Sequence, residues 1–269
     1  MGDYLYSPLC SFDNDFDMED LFFARIDDLC TRADRGELAF SRFLNETEAA
    51  EAGRYLRSLG RADQLFWGGF TGAERKKLFV FPAWQEPSIE AANEAITPIY
   101  ISGGGYVKLE HRSFLGSLVA SGLSRDVIGD IILLDDYSAV VFFDDRIAEY
   151  LLSSPDALLR VGRDKVKMKR YVLPYGFGRR EDYTGINATV SSPRLDCVIS
   201  ALTSLSREKA KSAVREGLVQ VDHIQERDPD RRIEDGAVIS IRGHGKFRVE
   251  SIGEKTKKDR YRLLALKYN

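Results

Sequence analysis

The sequence predicts an α+β protein built from three successive units, and three observations carry that prediction. Apolar residues recur at helical spacing near the front. Patterns in the order β-α-β-β-α-β fill the middle, and the last 76 residues join helical signals to alternating strands. A chain of 269 residues with 43% hydrophobic side chains, including 15 Phe and 12 Tyr, has enough apolar surface for more than one core, and this composition excludes global disorder. The units are placed at 1–86, 87–182 and 194–269, with 183–193 as a linker.

The first unit (1–86) reads as a mainly helical α+β domain. Leu21, Phe22, Ile26 and Leu29 share a helical face, and Gly36 follows. Asn45 or Thr47 caps a second helix over 48–59, which Gly60 ends. Phe66-Trp67-Gly68-Gly69-Phe70 and Gly72-Ala73-Glu74-Arg75-Lys76-Lys77 lead into a short strand at 78–81. The prolines Pro82 and Pro87 then frame a boundary.

In the second unit (87–182), residues 96–101 read as a strand, and Phe114, Leu115, Leu118 and Val119 mark a helix. Two apolar runs, 128–134 and 139–143, flank the turn-like Asp135-Asp136-Tyr137-Ser138. Asp144 or Asp145 starts a further helix through Ile147, Leu151 and Leu152. Residues 161–172 alternate apolar and basic side chains, as a half-exposed strand does. This succession is the ferredoxin-like arrangement, also used by RRM-like RNA-recognition sheets, although the sequence lacks a strong aromatic signature of those sheets. Two Pro and three Gly over 174–193 read as a connection.

The third unit begins at Arg194-Leu195-Asp196, before an apolar stretch at 197–202. Ser206 is a fitting N-cap and Gly217 a fitting stop for a helix of about three turns. Along it Arg207, Lys211 and Arg215 stand at i, i+4 and i+8, one above another on one face. Ala210, Val214 and Ala213 form an adjoining face that packs inward. Strands follow at 218–221, 238–241, 247–252 and 261–268. Between two of them lies Arg242-Gly243-His244-Gly245-Lys246-Phe247-Arg248, where glycines are flanked by cations.

The net charge of −3 conceals a division along the chain. Residues 1–159 carry 14 Lys and Arg against 27 Asp and Glu, whereas 160–193 carry 8 against 3 and 194–269 carry 17 against 12. A basic rear behind an acidic front points to a polyanion-facing C-terminal part. Several cations on one rigid helix, with the unpaired N–H groups of its N-terminus, suit a phosphate backbone. The candidate contacts are Arg194, Ser206, Arg207, Lys209, Lys211, Arg215, Arg242, Lys246 and Arg248. A second surface is expected at Lys165, Lys167, Lys169 and Arg170, interleaved with Tyr171, Tyr175 and Phe177 as on a stacking platform. A solvated helix face and a lysine-guarded strand edge are the bland alternatives.

Arg-Leu-Asp at 194–196, the Ser-Arg-x-x-Ala helix start, Gly-x-Val-x-Val at 217–221 and Val-Ile-Ser-Ile-Arg at 238–242 resemble the S4 RNA-binding domain over about 194–248. Asp222-His223 departs from the Asn-Gly usual there. Three further stretches resemble the bacterial YlmH family: 66–76, His111-Arg112-Ser113-Phe114-Leu115-Gly116 and Ile128-Gly129-Asp130-Ile131. The resemblance implies an N-terminal domain, a ferredoxin-like domain and an S4 domain. It also implies binding to structured RNA (large-subunit rRNA and tRNA) on the ribosome, in quality control of stalled peptidyl-tRNA complexes, with a genomic link to cell division.

Catalytic signals are weak. His111, His223 and His244 lack metal-ligand spacing, Gly103-Gly104-Gly105 is not a dinucleotide fingerprint, and 69–76 lacks the P-loop pattern. No catalytic residue, metal or cofactor is expected. The alternatives are an RNA-modifying or tRNA-charging enzyme carrying an S4 module, and a cell-division-associated scaffold. Cys10, Cys30 and Cys197 are odd in number and far apart, the first 20 residues carry no Lys or Arg, and no apolar run approaches a membrane span. The expectation is a reduced, cytoplasmic protein without membrane insertion, whose acidic N-terminal region is free to face a protein partner.

Overall fold

The computed structural model describes residues 14–154, 158, 160–178, 183–256 and 259–268; Cys10, Arg179 and Arg180 lie outside them. The N-terminal part comprises α1 (Asn14–Asp34), β1 (Ala39–Leu44), α2 (Glu46–Ser58), β2 (Gln64–Trp67), β3 (Lys76–Val80) and α3 (Ile89–Asn93). Asn45 rather than Thr47 caps α2: its side chain accepts the Glu48 N–H at 2.9 Å, and the Glu48 carboxylate accepts the Asn45 N–H at 2.7 Å. This reciprocal box satisfies two otherwise orphaned donors. The strands β1 and β2, which no clean period announces, flank β3 in an antiparallel sheet.

The middle of the chain forms β4 (Ile96–Ser102), α4 (His111–Ala120), β5 (Ile128–Asp135), β6 (Ser138–Asp144), α5 (Asp145–Ser153), β7 (Arg160–Val161), β8 (Asp164–Lys165) and β9 (Lys167–Arg170). The antiparallel sheet order β5-β6-β4-β9 is the ferredoxin-like one. The single strand expected over 161–172 is instead a separate β7–β8 hairpin followed by β9, because Gly162 turns the chain at a φ of 59°. Asp144 caps α5.

The two sheets lie face to face, and strand alternation decides which core each residue joins. On β3, Leu78 and Val80 pack with Ile26, Leu29 and Leu56 of α1 and α2, while Phe79 faces the other way. On β6, Val140 and Phe142 meet Phe43, Phe70, Phe79 and Phe81. Ala139, Val141 and Phe143 join Phe114, Leu118, Ala148 and Leu151 under α4 and α5. The result is four layers, helices outside and two sheets inside, and it explains why these strands read as continuous apolar runs.

The motifs 66–76 and 128–131 join the two sheets. The buried Asp130 carboxylate accepts the backbone N–H groups of Glu74 (2.8 Å) and Arg75 (3.0 Å). The Arg75 guanidinium donates to the carbonyls of Phe43, Arg125 and Ile128. A Cβ on Gly69 would lie 2.6 Å from the Phe142 ring, and one on Gly129 would lie 2.8 Å from the Phe43 ring. Glycine is needed at both positions because aromatic rings fill the space.

The last part contains β10 (Tyr183–Val190), α6 (Leu195–Thr203), α7 (Arg207–Arg215), β11 (Val219–Val221), β12 (Ile224–Gln225), β13 (Val238–Ile241), β14 (Gly245–Lys255) and β15 (Tyr261–Tyr268). They form a six-stranded antiparallel sheet, β10-β15-β14-β13-β11-β12, packed against α6 and α7. The expected linker over 183–193 is corrected here. Residues 183–190 are the edge strand β10, paired with β15 along its whole length. Glycine and threonine made this stretch resemble a connection, but its pairing partner lies some 75 residues away in sequence. Asp222 and His223 take φ values of 52° and 67° between β11 and β12. They thus adopt the left-handed pair that Asn-Gly ordinarily supplies in a two-residue hairpin.

Candidate nucleic-acid interface

Helix α7 is positioned by its own sequence. Ser206 Oγ accepts the Lys209 N–H at 3.3 Å, Gly217 leaves the helix at a φ of 73°, and Ala210 and Val214 are fully buried against α6 and the sheet. Arg207, Lys209 and Arg215 are exposed, Arg207 and Arg215 along one flank of the helix and Lys209 on the far side of its first turn, with Lys211 half-buried and 3.6 Å from Glu208. Neither Lys209 nor Arg215 pairs with an acid among the described residues. Arg242, in the β13–β14 turn, is likewise exposed and unpaired among them.

Arg207 is oriented from beneath. Its Nε donates to Asp196 Oδ2 at 2.9 Å, and Asp196, on α6, is fully buried. The same carboxylate accepts from Arg194 Nε at 3.2 Å and from the Cys197 N–H at 2.9 Å. Burial pushes the Asp196 carboxyl up, but the hydrogen bonds from Arg207, Arg194 and Cys197 outweigh it and hold it below the usual carboxylate range. Arg194 also pairs with Asp230, so the chain Asp230–Arg194–Asp196–Arg207 links the 226–233 loop to α7. Arg194 therefore stands as a bracing residue at the start of α6 rather than as a free cation.

Two other expected contacts are also engaged. Lys246 reaches across to the N-terminal part, where its Nζ lies 2.6 Å from Glu46 Oε1. Arg248 donates to Glu250 at 2.7 Å and lies 5.2 Å from the Tyr183 ring. At the second surface, Lys165, Lys167, Lys169 and Arg170 are all exposed. Arg170 Nη1 donates to Thr97 at 3.2 Å, and Lys169 Nζ lies 5.1 Å from the Tyr100 ring.

The aromatic platform expected beside this second surface is corrected by the structure. Tyr171 and Phe177 are half-buried and pack against the core between the sheets, Phe177 against Phe70 and Phe142. Only Tyr175 of the three is fully exposed. The reason is topological: the N-terminal sheet covers the sheet face that an RNA-recognition sheet would offer to bases.

Sequence reasoning passed over Arg227. It is exposed, and its guanidinium lies near Gly217 at the end of α7. Its only signal was a run of mixed charge, Glu226-Arg227-Asp228-Pro229-Asp230-Arg231-Arg232, without periodicity. No group of acidic, His and Cys side chains able to hold a metal occurs among the described residues, and no described helix is long and apolar enough to cross a membrane.

Residues 101–173 match the family described as "Putative RNA-binding domain in YlmH". Over 211 residues the chain is 31% identical to "Ribosome-associated protein quality control protein P2" of Bacillus subtilis (strain 168), which covers 76% of this chain and 78% of that relative. Among solved structures, "Cell division protein ylmH from Streptococcus pneumoniae" is similar at a TM-score of 0.47 and 18% identity, over 64% of this chain and 96% of that one.

Proposed function

Because this chain belongs to the YlmH family, we propose that it is a non-catalytic RNA-binding protein of the cytoplasm. It binds structured rRNA, tRNA or both on the large ribosomal subunit, in quality control of stalled peptidyl-tRNA complexes. The last unit acts as an S4 domain. The observation that supports this reading best is the exposed cation face of α7, backed by a buried carboxylate that fixes Arg207.

A phosphate strand lying along α7 meets Arg215 and the free edge of the Arg207 guanidinium, with Ser206, Lys209 and the helix N-terminus at one end. Arg242 extends the surface from the adjacent turn. Braced cations lose less side-chain freedom on binding than free ones do, which favours a shaped RNA over a random polyanion. Lys211, Lys246 and Arg248 contribute through their field more than through direct contact, since each already has a partner.

Each neutralised phosphate contributes about −0.9 to the slope of log affinity against log salt for duplex, or about −0.7 for single strands. Replacing Lys209, Arg215 and Arg242 together by Ala is expected to weaken co-sedimentation with 50S subunits and to flatten that slope by about two to three. Unchanged co-sedimentation and an unchanged slope would overturn the assignment.

A further inference from the structure

Both faces of the ferredoxin-like sheet are closed, one by α4 and α5 and the other by the N-terminal sheet. A nucleic acid meets this part of the molecule only at a strand edge or at the loops that end the strands. One such end gathers an unusual set of residues. Ser102, the last residue of β4, pairs with Ser138 of β6 on one side and Lys167 of β9 on the other. Three connections therefore converge there: the triglycine 103–105, the β5–β6 turn and the β7–β8 hairpin.

Backbone bonds hold the convergence together. The Gly103 N–H donates to the Tyr137 carbonyl at 2.8 Å, and the Leu109 N–H donates to the Asp136 carbonyl at 2.7 Å. A Cβ on Gly103 would lie 2.9 Å from Asp164 Oδ2, and one on Gly104 would lie 3.1 Å from the Tyr106 ring. The hairpin carboxylate and the tyrosine thus flank the same glycines. Tyr106 is 89% exposed, and Tyr137, in the β5–β6 turn, is 43% exposed. Arg163, Lys165 and Lys167 are exposed in and just after the β7–β8 hairpin, and none pairs with an acid among the described residues. The nearby Asp136 is matched by Lys108 at 2.6 Å.

We infer that this end of the sheet is a second RNA contact, selective for unpaired nucleotides. Tyr106 stacks on a base, and Arg163, Lys165 and Lys167 hold the neighbouring phosphates. The inference rests on the RNA-binding reading above and adds to it a class of RNA and a separate place. Unpaired nucleotides are specified because a ring on an exposed loop reaches only a base whose face is free. The bases of an A-form helix are stacked on one another, and its major groove is too narrow for side chains. Three exposed cations at the same convergence of connections as an exposed aromatic ring favour RNA over a protein partner.

The test uses the full-length chain and two labelled RNAs of equal length, a single strand and a blunt duplex, read by fluorescence anisotropy across a salt series. Tyr106→Ala is expected to weaken single-strand binding about tenfold, within the range for loss of one stacked base, and to leave duplex binding unchanged. Tyr106→Phe retains wild-type affinity, because the ring and not the hydroxyl stacks. Replacing Arg163, Lys165 and Lys167 together by Ala flattens the single-strand salt slope by about two. Wild-type single-strand affinity in Tyr106→Ala, with the Lys209/Arg215/Arg242 variant still impaired on ribosomes, overturns this inference and leaves the first reading standing. Loss of ribosome co-sedimentation in Tyr106→Ala with single-strand affinity intact also overturns it, and marks the patch as a protein contact.

Discussion

Glu46 Oε1 lies 2.6 Å from Lys246 Nζ, joining the first turn of α2 in the acidic front to β14 in the basic rear. His223 closes the same contact, its Nδ1 3.4 Å from Glu46 Oε2. The division of charge along the sequence is therefore bridged in space at one carboxylate, which occupies a cation of the basic rear. Glu46→Gln is expected to raise RNA affinity about two- to fivefold at low salt, the scale of a half-exposed ion pair. The gain should shrink as screening increases. Filter binding at two ionic strengths checks both parts.

His223 makes the same junction sensitive to pH. Burial lowers its pKa below the ordinary 6.5; Glu46 opposes the shift, Lys246 assists it, and Asp222 and Lys76 act more weakly in opposite senses. The imidazole is then neutral at pH 7, so its contact with Glu46 is no ion pair there. With a folded pKa below the unfolded one, the unfolded chain binds the proton more readily between the two values. Stability is complete above about 6.5 and falls as pH drops toward the folded value. His223→Asn, which tolerates the left-handed turn, should lose less melting temperature between pH 7.5 and 5.5 than the wild type.

Asp196 anchors Arg194 and Arg207 from a fully buried position. Asp196→Asn keeps the shape but removes the charge, and is expected to cost about 1–3 kcal/mol in urea unfolding at pH 7. Its carboxyl is held below its ordinary value of 3.8, so the contribution is present above that value and disappears as pH falls through the folded pKa. The gap between variant and wild type should narrow in melts at pH 3.

Gly69 sits at a φ of 98° with the Phe142 ring filling the space where a side chain would stand. Phe142 is fully buried between the sheets and has nowhere to retreat. Gly69→Ala is expected to destabilise the protein by about 2–4 kcal/mol through overpacking and a left-handed alanine. Gly72, also at positive φ but with open space around it, should cost about 1 kcal/mol as Ala. Thermal melts of the pair separate packing from backbone strain.

Periodicity was enough for helices with one buried face and for strands with both faces buried. Ser206, Ala210, Val214 and Gly217 place α7 almost to the residue, and the runs containing Phe142 and Ile131 announce β6 and β5. Edge strands were not legible. β10 carries exposed Thr184, Gly185 and Asn187 because one edge and part of its face meet solvent, so its pattern resembles a connection. The cap of α2 was narrowed to two residues by type and settled by the reach of Glu48 back to Asn45.

The sequence by itself determined the order of elements, the α+β class, the acidic front and basic rear, and the cations along α7, because these depend on residues near one another in the chain. Tertiary structure alone decided which of those cations are engaged. Arg194, Lys246 and Arg248 read like Lys209 and Arg215 in one dimension, yet each meets a carboxylate in the fold, Lys246 from two hundred residues away. Tertiary structure also decided that Tyr171 and Phe177 pack half-buried against a core rather than form a platform, since a second sheet covers that face. The physical reason is common to both. Composition states what a side chain can pair or pack with, whereas only the folded chain states which partner reaches it first.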